Sequence, residues 1–207
     1  MVNAPTSMRG HRGKTGHTRT GAGRTPRVQE AAAPATDRML SVVVRPLRAS
    51  ELLAIQRTFP AGGPEKHSAR LWRQEAGEAS YLIAWVEARP VGHLFLLWAG
   101  PDHDDMRSRL PRLAAVEDLY VLGDVRGRGI GTRLLAAAES LVHLRGISRI
   151  GLGVSVDNFA AARLYRRLGF LDSGAGHFVS RWVEPDRYGV SRHFSETLVF
   201  LVKEMRS

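Results

Sequence analysis

Cysteine is absent from the 207 residues. That excludes a disulfide framework, a thiol nucleophile and any thiolate metal site. No run approaches the roughly 18 consecutive apolar residues of a spanning helix, so no membrane partner is expected. The first residues lack the apolar segment of a secretory signal, which makes the cytoplasm the expected compartment. Aromatic residues are few, at 7%. What is present, 43% apolar and 24% charged, is the composition of an ordinary globular domain. The length suits one well-filled core, not three domains.

The charge is uneven. The chain carries +10, and residues 1–38 hold seven basic residues against two acidic ones. Large apolar side chains are nearly missing there, so this stretch cannot bury enough surface to offset its ordering entropy. A disordered basic tail is expected over 1–38 and a single domain over 39–207. A basic tail can hold nucleic acid. This one has no aromatic residue to stack on bases, so nucleic acid is not the expected partner of the domain. The plainer reading is an unstructured extension before Met39. A transit peptide ranks lower, because no amphipathic stripe accompanies the arginines.

Residues 39–207 read as alternating elements. Ser41–Val44 is a β-branched run and a first strand. A helical stretch with Leu52, Leu53, Ile55 and Phe59 follows, then a second helix from Glu65 to Glu75 with Leu71 and Trp72 on its buried side. Tyr81–Val86 and Val91–Trp98, joined by Glu87–Pro90, form a hairpin pattern. Gly100–Pro111 reads as a polar loop and Ala115–Leu122 as a strand. Residues 129–145 carry apolar side chains at three- and four-residue steps, a helix; residues 150–154 alternate, a strand. A helix from Asn158 to about Leu168 ends at Gly169, and segments from Phe170, Phe178–Val183 and Thr197–Val202 supply the last strands. This order implies a mixed α/β (α+β) fold: a central sheet of six to seven strands with helices on both faces.

Two adjacent segments carry chemistry. In the first, the strand Val116–Leu122 runs into Gly123-Asp124-Val125-Arg126-Gly127-Arg128-Gly129-Ile130-Gly131-Thr132, a glycine-rich turn that opens a helix. Amides at a helix start lack intrahelical partners and sit at the positive end of the dipole, a setting suited to a pyrophosphate. A P-loop would need a lysine followed by Ser or Thr, which Arg126–Thr132 lacks. A dinucleotide fingerprint would need glycine where Leu134 stands. In the second, Asn158 can cap the helix, Leu164 and Leu168 share a face that packs on the sheet, and Tyr165 points the same way as small Ala161.

Together these segments resemble the GNAT superfamily of acetyl-CoA-dependent N-acetyltransferases. Its pyrophosphate motif, Arg/Gln-x-x-Gly-x-Gly/Ala, is met by Arg126, Gly129 and Gly131. Its later Asn-x-x-Ala-x-x-Leu-Tyr-x-x-x-Gly-Phe is met by Asn158, Ala161, Leu164, Tyr165, Gly169 and Phe170. The resemblance implies acetyl-CoA as co-substrate and no metal. It implies that two splayed parallel strands admit the pantetheine arm, with main-chain groups of Leu119, Tyr120 and Val121 along it. Amides of Arg126, Gly127, Arg128, Gly129, Ile130, Gly131 and Thr132 would hold the pyrophosphate. Asn158 and Ala161 would line the pantetheine wall, and Tyr165 would donate a hydrogen bond to the departing sulfur. A homodimer is common among similar proteins.

The chemistry explains these residue types. An alkylammonium of pKa near 10.4 is neutral in about one molecule in two thousand at pH 7. That population alone adds roughly 4 kcal/mol to the barrier unless a base or the site shifts it. Glu117 and Asp118 are adjacent, so on a regular strand they face opposite sides, with Glu117 on the side of Leu119 and Val121 and Asp118 on that of Tyr120. The pair resembles small-amine acetyltransferases, which makes Glu117 the expected base and both residues expected acceptor contacts. The run Asp102–Asp105 does not converge on one ion in an ordinary loop and reads as solvated. His93 and His143 read as packing or surface residues, and Trp72, Trp85, Trp98 and Trp182 as core or acceptor-wall residues. The expected acceptor is a small amine, with a peptide N-terminus or lysine as the alternative. A coenzyme-binding module without efficient transfer is a further reading.

Overall fold

The structure is a computed structural model that describes residues 41–185 and 190–205. The basic tail expected over residues 1–38 lies outside the described residues. The elements run β1 (Val42–Pro46), α1 (Leu52–Thr58), α2 (Gly63–Glu75), β2 (Ala79–Val86), β3 (Arg89–Leu97), α3 (Asp104–Arg109) and β4 (Ala114–Val121). They continue with α4 (Ile130–Leu144), β5 (Arg149–Ser155), α5 (Phe159–Arg167), β6 (Leu171–Pro185) and β7 (Ser191–Glu204). One 7-stranded sheet takes the order β1-β2-β3-β4-β5-β7-β6. β4 and β5 pair parallel, across the α4 connection; the other neighbours are antiparallel.

Each face of the sheet buries its own apolar cluster. Leu119, Ile130, Leu134, Leu135, Val154, Tyr165 and Phe170 belong to the cluster under α4 and α5. Ile55, Phe59, Leu71, Tyr81, Phe95 and Ala115 belong to the cluster under α1 and α2. The α4 periodicity is the reason: its buried positions, Ile130, Leu134, Leu135, Ala138 and Val142, recur every three to four residues and form one stripe. The helices therefore cover both faces, as the element order implied.

Four details differ from the sequence reading. The polar loop at 100–111 contains α3, whose first turn carries Asp104 and Asp105 and whose last turn carries Arg107 and Arg109. That placement complements the helix dipole. Trp72 is 64% exposed, not buried, because α2 directs its neighbour Leu71 into the core instead. The last three strand segments merge into two long strands, with a register shift between Asp172 and His177. Gly174 and Gly176 take left-handed backbone there, at φ 73° and 80°. Between the segments expected as Phe178–Val183 and Thr197–Val202 the chain is largely strand as well, and residues 186–189 lie outside the described residues.

β6 and β7 outrun the sheet. β5 ends at Ser155, opposite Leu198, while β6 and β7 stay paired out to Pro185↔Ser191. Trp182 stacks on Phe194 in this ribbon, ring centroids 5.6 Å apart. On the other side of the sheet centre, Gly92 lets β3 approach β4 closely. A Cβ there would stand 2.7 Å from the Tyr120 carbonyl oxygen and 3.3 Å from Leu134 and Val121 side-chain atoms. Gly92→Ala should therefore lower stability by about 1–3 kcal/mol, measured by chemical denaturation. An unchanged midpoint would show that β3 and β4 can separate there.

Candidate active site

The site begins where a strand pair stops. β4 and β5 match at Ala114↔Ile150, Ala115↔Gly151 and Val116↔Leu152, and no further pair joins them. β4 continues to Val121 beside β3, and β5 to Ser155 beside β7. The edges of β4 and β5 that face each other are thus open beyond Val116 and Leu152. The break coincides with a bulge: the β3–β4 register shifts between His93, opposite Tyr120, and Phe95, opposite Glu117. Asp118 sits in it with φ 46°, a backbone conformation that Asp tolerates better than most residues. A bulge bends its strand and raises its twist, which carries β4 away from β5.

The bulge overturns the expectation that Glu117 and Asp118 face opposite sides. Val116 and Leu119 both belong to the cluster under α4 and α5, although they stand three positions apart. The two residues between them both turn to the α1–α2 face. Glu117 Oε1 accepts the Asp102 main-chain N–H at 3.1 Å, just before α3. Asp118 Oδ2 lies 2.7 Å from Arg70 Nη1 and 3.3 Å from Lys66 Nζ, both on α2. Tyr120 returns to this face as expected, and Arg126 lies over its ring at 5.5 Å.

The two acids differ in environment. Burial pushes the Asp118 carboxyl up, but the charges around it, the Arg70 guanidinium foremost and Lys66 with it, together hold the group well below the usual carboxylate range. Such a carboxylate is a poor proton acceptor. Among the described residues Glu117 pairs with no cation, and it accepts a hydrogen bond from a main-chain amide. Glu196 of β7, absent from the sequence reading, lies on the same face as Leu198 and has one carboxylate oxygen shielded and unpartnered. Strand alternation could have placed it there only once the strand bounds were known.

Behind Asp118 lies a buried polar chain that the sequence pattern did not show. His67 Nε2 lies 2.7 Å from the Phe59 carbonyl oxygen, and His67 Nδ1 lies 2.7 Å from the Tyr81 hydroxyl. A carbonyl can only accept, so Nε2 carries the proton and Nδ1 accepts from Tyr81. Arg70 lies 5.5 Å from the Tyr81 ring centre and 5.2 Å from that of Phe95. His93, expected to be a packing residue, is buried and stacks on Tyr120. His143 is exposed on α4, also as expected.

The glycine-rich turn forms the next wall. Gly127 and Gly129 have φ 76° and 77°, and a Cβ built at either meets nothing within 4 Å. The first α4 hydrogen bond runs from Arg133 N–H to Gly129 C=O, at 3.0 Å. The amides of Ile130, Gly131 and Thr132 therefore lack intrahelical acceptors and point out of a 15-residue helix. Arg126 Nε donates to the Val121 carbonyl at 2.9 Å, tying this turn to the end of β4. Arg128 is exposed beside it. Such a cradle of amides with open space before it fits a diphosphate.

α5 closes the constellation from the far face. Asn158 caps it, its Oδ1 accepting from Ala161 N–H at 3.1 Å. Leu164 and Leu168 are half-buried against the core, with Ala161 beside them. Gly169 ends the helix at φ 89°. Tyr165 is 2% exposed and shares its cluster with Leu119 of β4 and Val154 of β5, the two strands that part. Burial pushes its phenol up, so it remains a hydrogen-bond donor at neutral pH.

The buried histidines predict a pH response. Burial lowers His67 to about 4, against an ordinary value of 6.5, and His93 to about 3. Both then take up protons more readily unfolded than folded, so their contribution is complete above pH 6.5 and is lost on acidification. For His67 the loss spans pH 6.5 to about 4 and is on the order of 3 kcal/mol. His67→Gln should flatten the stability–pH curve there, measured by urea melts at several pH values; parallel curves would show that this ring takes up its proton alike in the folded and unfolded states.

Three comparisons place this geometry among known proteins. Residues 49–170 match the sequence profile of the Acetyltransferase (GNAT) family. An uncharacterized N-acetyltransferase of Methanocaldococcus jannaschii, MJ1207, is 31% identical over 99 residues, 48% of this chain and 42% of that protein. The chain thus spans under half the length of that relative. The crystal structure of the ribosomal-protein-S18-alanine N-acetyltransferase from Escherichia coli superposes with a TM-score of 0.57 at 16% identity, covering 80% of this chain and 95% of that one. The yncA structure from Salmonella typhimurium, described with its cofactor acetyl-CoA, superposes with a TM-score of 0.56 at 17% identity over 80% and 95%. These likenesses show the fold, and the profile match over more than half of the residues shows the lineage: the chain belongs to the GNAT acetyltransferase family.

Proposed function

We propose that this protein transfers the acetyl group of acetyl-CoA to a primary amine, by direct attack of the amine nitrogen on the thioester carbonyl. One observation carries the reading: the parting of β4 and β5 lies between an amide cradle at the α4 N-terminus and the buried phenol of Tyr165. The coenzyme supplies an activated acyl carbon and a thiolate leaving group. The Arg126–Thr132 amides bind its diphosphate, and the open edge of Leu119–Val121 gives main-chain partners to its arm. Asn158 and Ala161 form the opposite wall. Asn158 spends its carbonyl oxygen on the helix cap and keeps its amide N–H groups for the ligand.

The proton account follows from the same residues. Glu117 takes the proton that the attacking amine must lose, directly or through water. As the new C–N bond forms and the C–S bond breaks, Tyr165 donates a hydrogen bond to the sulfur that gains the electron pair. No acyl-enzyme is needed, in keeping with a chain that has no cysteine. The acceptor read from Glu117 is a small amine.

Tyr165→Phe should lower kcat by about 10²-fold while leaving calorimetric CoA affinity within twofold; equal activity in both proteins removes the assigned role. Gly129→Val should abolish CoA binding, since its φ of 77° disfavours a β-branched residue and the added atoms enter the cradle. A thiol-release assay with acetyl-CoA against an amine panel that includes peptides tests the acceptor. Release with peptides alone would replace the small-amine reading. Removal of residues 1–38 should leave transfer intact, and loss of CoA binding would move the domain boundary.

A further inference from the structure

The buried acid beside Glu117 has its own task. Asp118 is the bulge residue of β4, has left-handed backbone, and is gripped by two cations of α2. Both Asp118 and Arg70 are largely buried, with side-chain exposures of 13% and 12%. A buried ion pair contributes little net stability, because desolvation cancels most of its attraction, but it fixes geometry strongly. Here it joins residues far apart in sequence: the first turns of α2 to the bend in β4. Its other end is fixed as well. Arg70 lies over Tyr81, Tyr81 bonds His67, and His67 bonds the Phe59 carbonyl at the end of α1. The turn between α1 and α2 is therefore tied to the bend of β4 by a continuous chain of polar and ring contacts.

We propose that Asp118 is a positioning residue: its ion pair with Arg70 and Lys66 holds the bulge that turns Leu119–Val121 away from β5 and toward the pantetheine arm. It does not exchange protons with substrate. The inference rests on the coenzyme reading above, and it adds a division within the coenzyme site. The amide cradle on α4 recognises the diphosphate half of the coenzyme. The bulge governs only the arm beyond it. Without the ion pair, the left-handed conformation at position 118 has no side-chain anchor, and a regular strand that continues its pairing with β5 becomes competitive. That closes the cleft to the arm and leaves the α4 terminus as it is.

The test separates the two halves of the ligand and needs no acceptor. Calorimetry is run with CoA and with 3′-phospho-ADP, the fragment that lacks the arm, on the parent, Asp118→Ala and Lys66→Met. The parent binding neither ligand would defeat the coenzyme reading itself. With the parent binding both, Asp118→Ala should weaken CoA about tenfold and change 3′-phospho-ADP less than twofold. Lys66→Met, which removes the more exposed cation of the pair, should show the same selectivity at about threefold. Asp118→Asn tolerates the left-handed backbone and keeps an oxygen for Arg70, so it should restore CoA to within about threefold of the parent. Equal losses for the two ligands would mark a merely structural role and overturn the assignment. So would an unchanged CoA affinity in Lys66→Met, the variant that keeps the test open where Asp118→Ala does not fold.

Discussion

Main-chain N–H and C=O groups inside a folded chain must find partners, and two strands of this sheet leave theirs open. The parallel pairing of β4 and β5 ends after three matched residues. The elements of the candidate site are arranged around that opening. α4 starts at its upper end and presents amides that its own helix cannot use. α5 packs across it and brings Tyr165 against residues of both strands. The β6–β7 ribbon extends past the end of β5. A ligand with a long amide-bearing arm and a diphosphate answers both demands at once: strand-like hydrogen bonds for the opening and negative charge for the helix end. Replacing the arm by water would satisfy the groups but orient nothing.

Much of this was legible from local signals. Glycines followed by a 3.6-residue apolar period announce a helix start, and the structure places α4 within a residue of that reading. Asn158 as a cap and Gly169 as a terminator are likewise decided by neighbours a few residues away. The parts that were not legible depend on contacts distant in sequence. Strand alternation assigns Glu117 and Asp118 to opposite faces, and only the ion pair between Asp118 and α2, about fifty residues earlier, supports a bulge that breaks it. The same holds for Trp72: helical spacing allows either it or Leu71 to face inward, and the shape of the core beneath α2 decides. The long β6–β7 ribbon was read as three segments because its glycines look like turns, whereas pairing with β7 absorbs them as a register shift.

The polar groups under α2 obey one rule. Where a buried donor and acceptor are matched there, as at His67 and Tyr81, the match fixes a protonation state. His67 is neutral because one ring nitrogen must give to a carbonyl and the other receives from a hydroxyl. Tyr81 and Tyr165 both keep their protons, since burial disfavours a phenolate in either place. Their uses differ. Tyr81 commits its hydroxyl to His67, whereas among the described residues the Tyr165 hydroxyl has no hydrogen-bond partner. The distinction between a committed and an available tyrosine lies in what already holds the oxygen, and neither burial nor residue type reveals it.

The same logic separates the two adjacent acids. Asp118 and Glu117 are neighbours on one strand, face one side of the sheet and differ by one methylene. Asp118 meets two cations at a buried bend, so its charge is permanent and its oxygens are committed. Glu117 stands one residue earlier, where β4 is still regular, and accepts a single main-chain N–H. A proton acceptor needs a free lone pair and a route to substrate; a fixed point in the backbone needs neither. The bulge brings both side chains of one dipeptide to one side, because it turns onto the α1–α2 face a residue that strand alternation sends to the other. That shared facing is why one dipeptide offers two carboxylates of different character to the same side of the sheet.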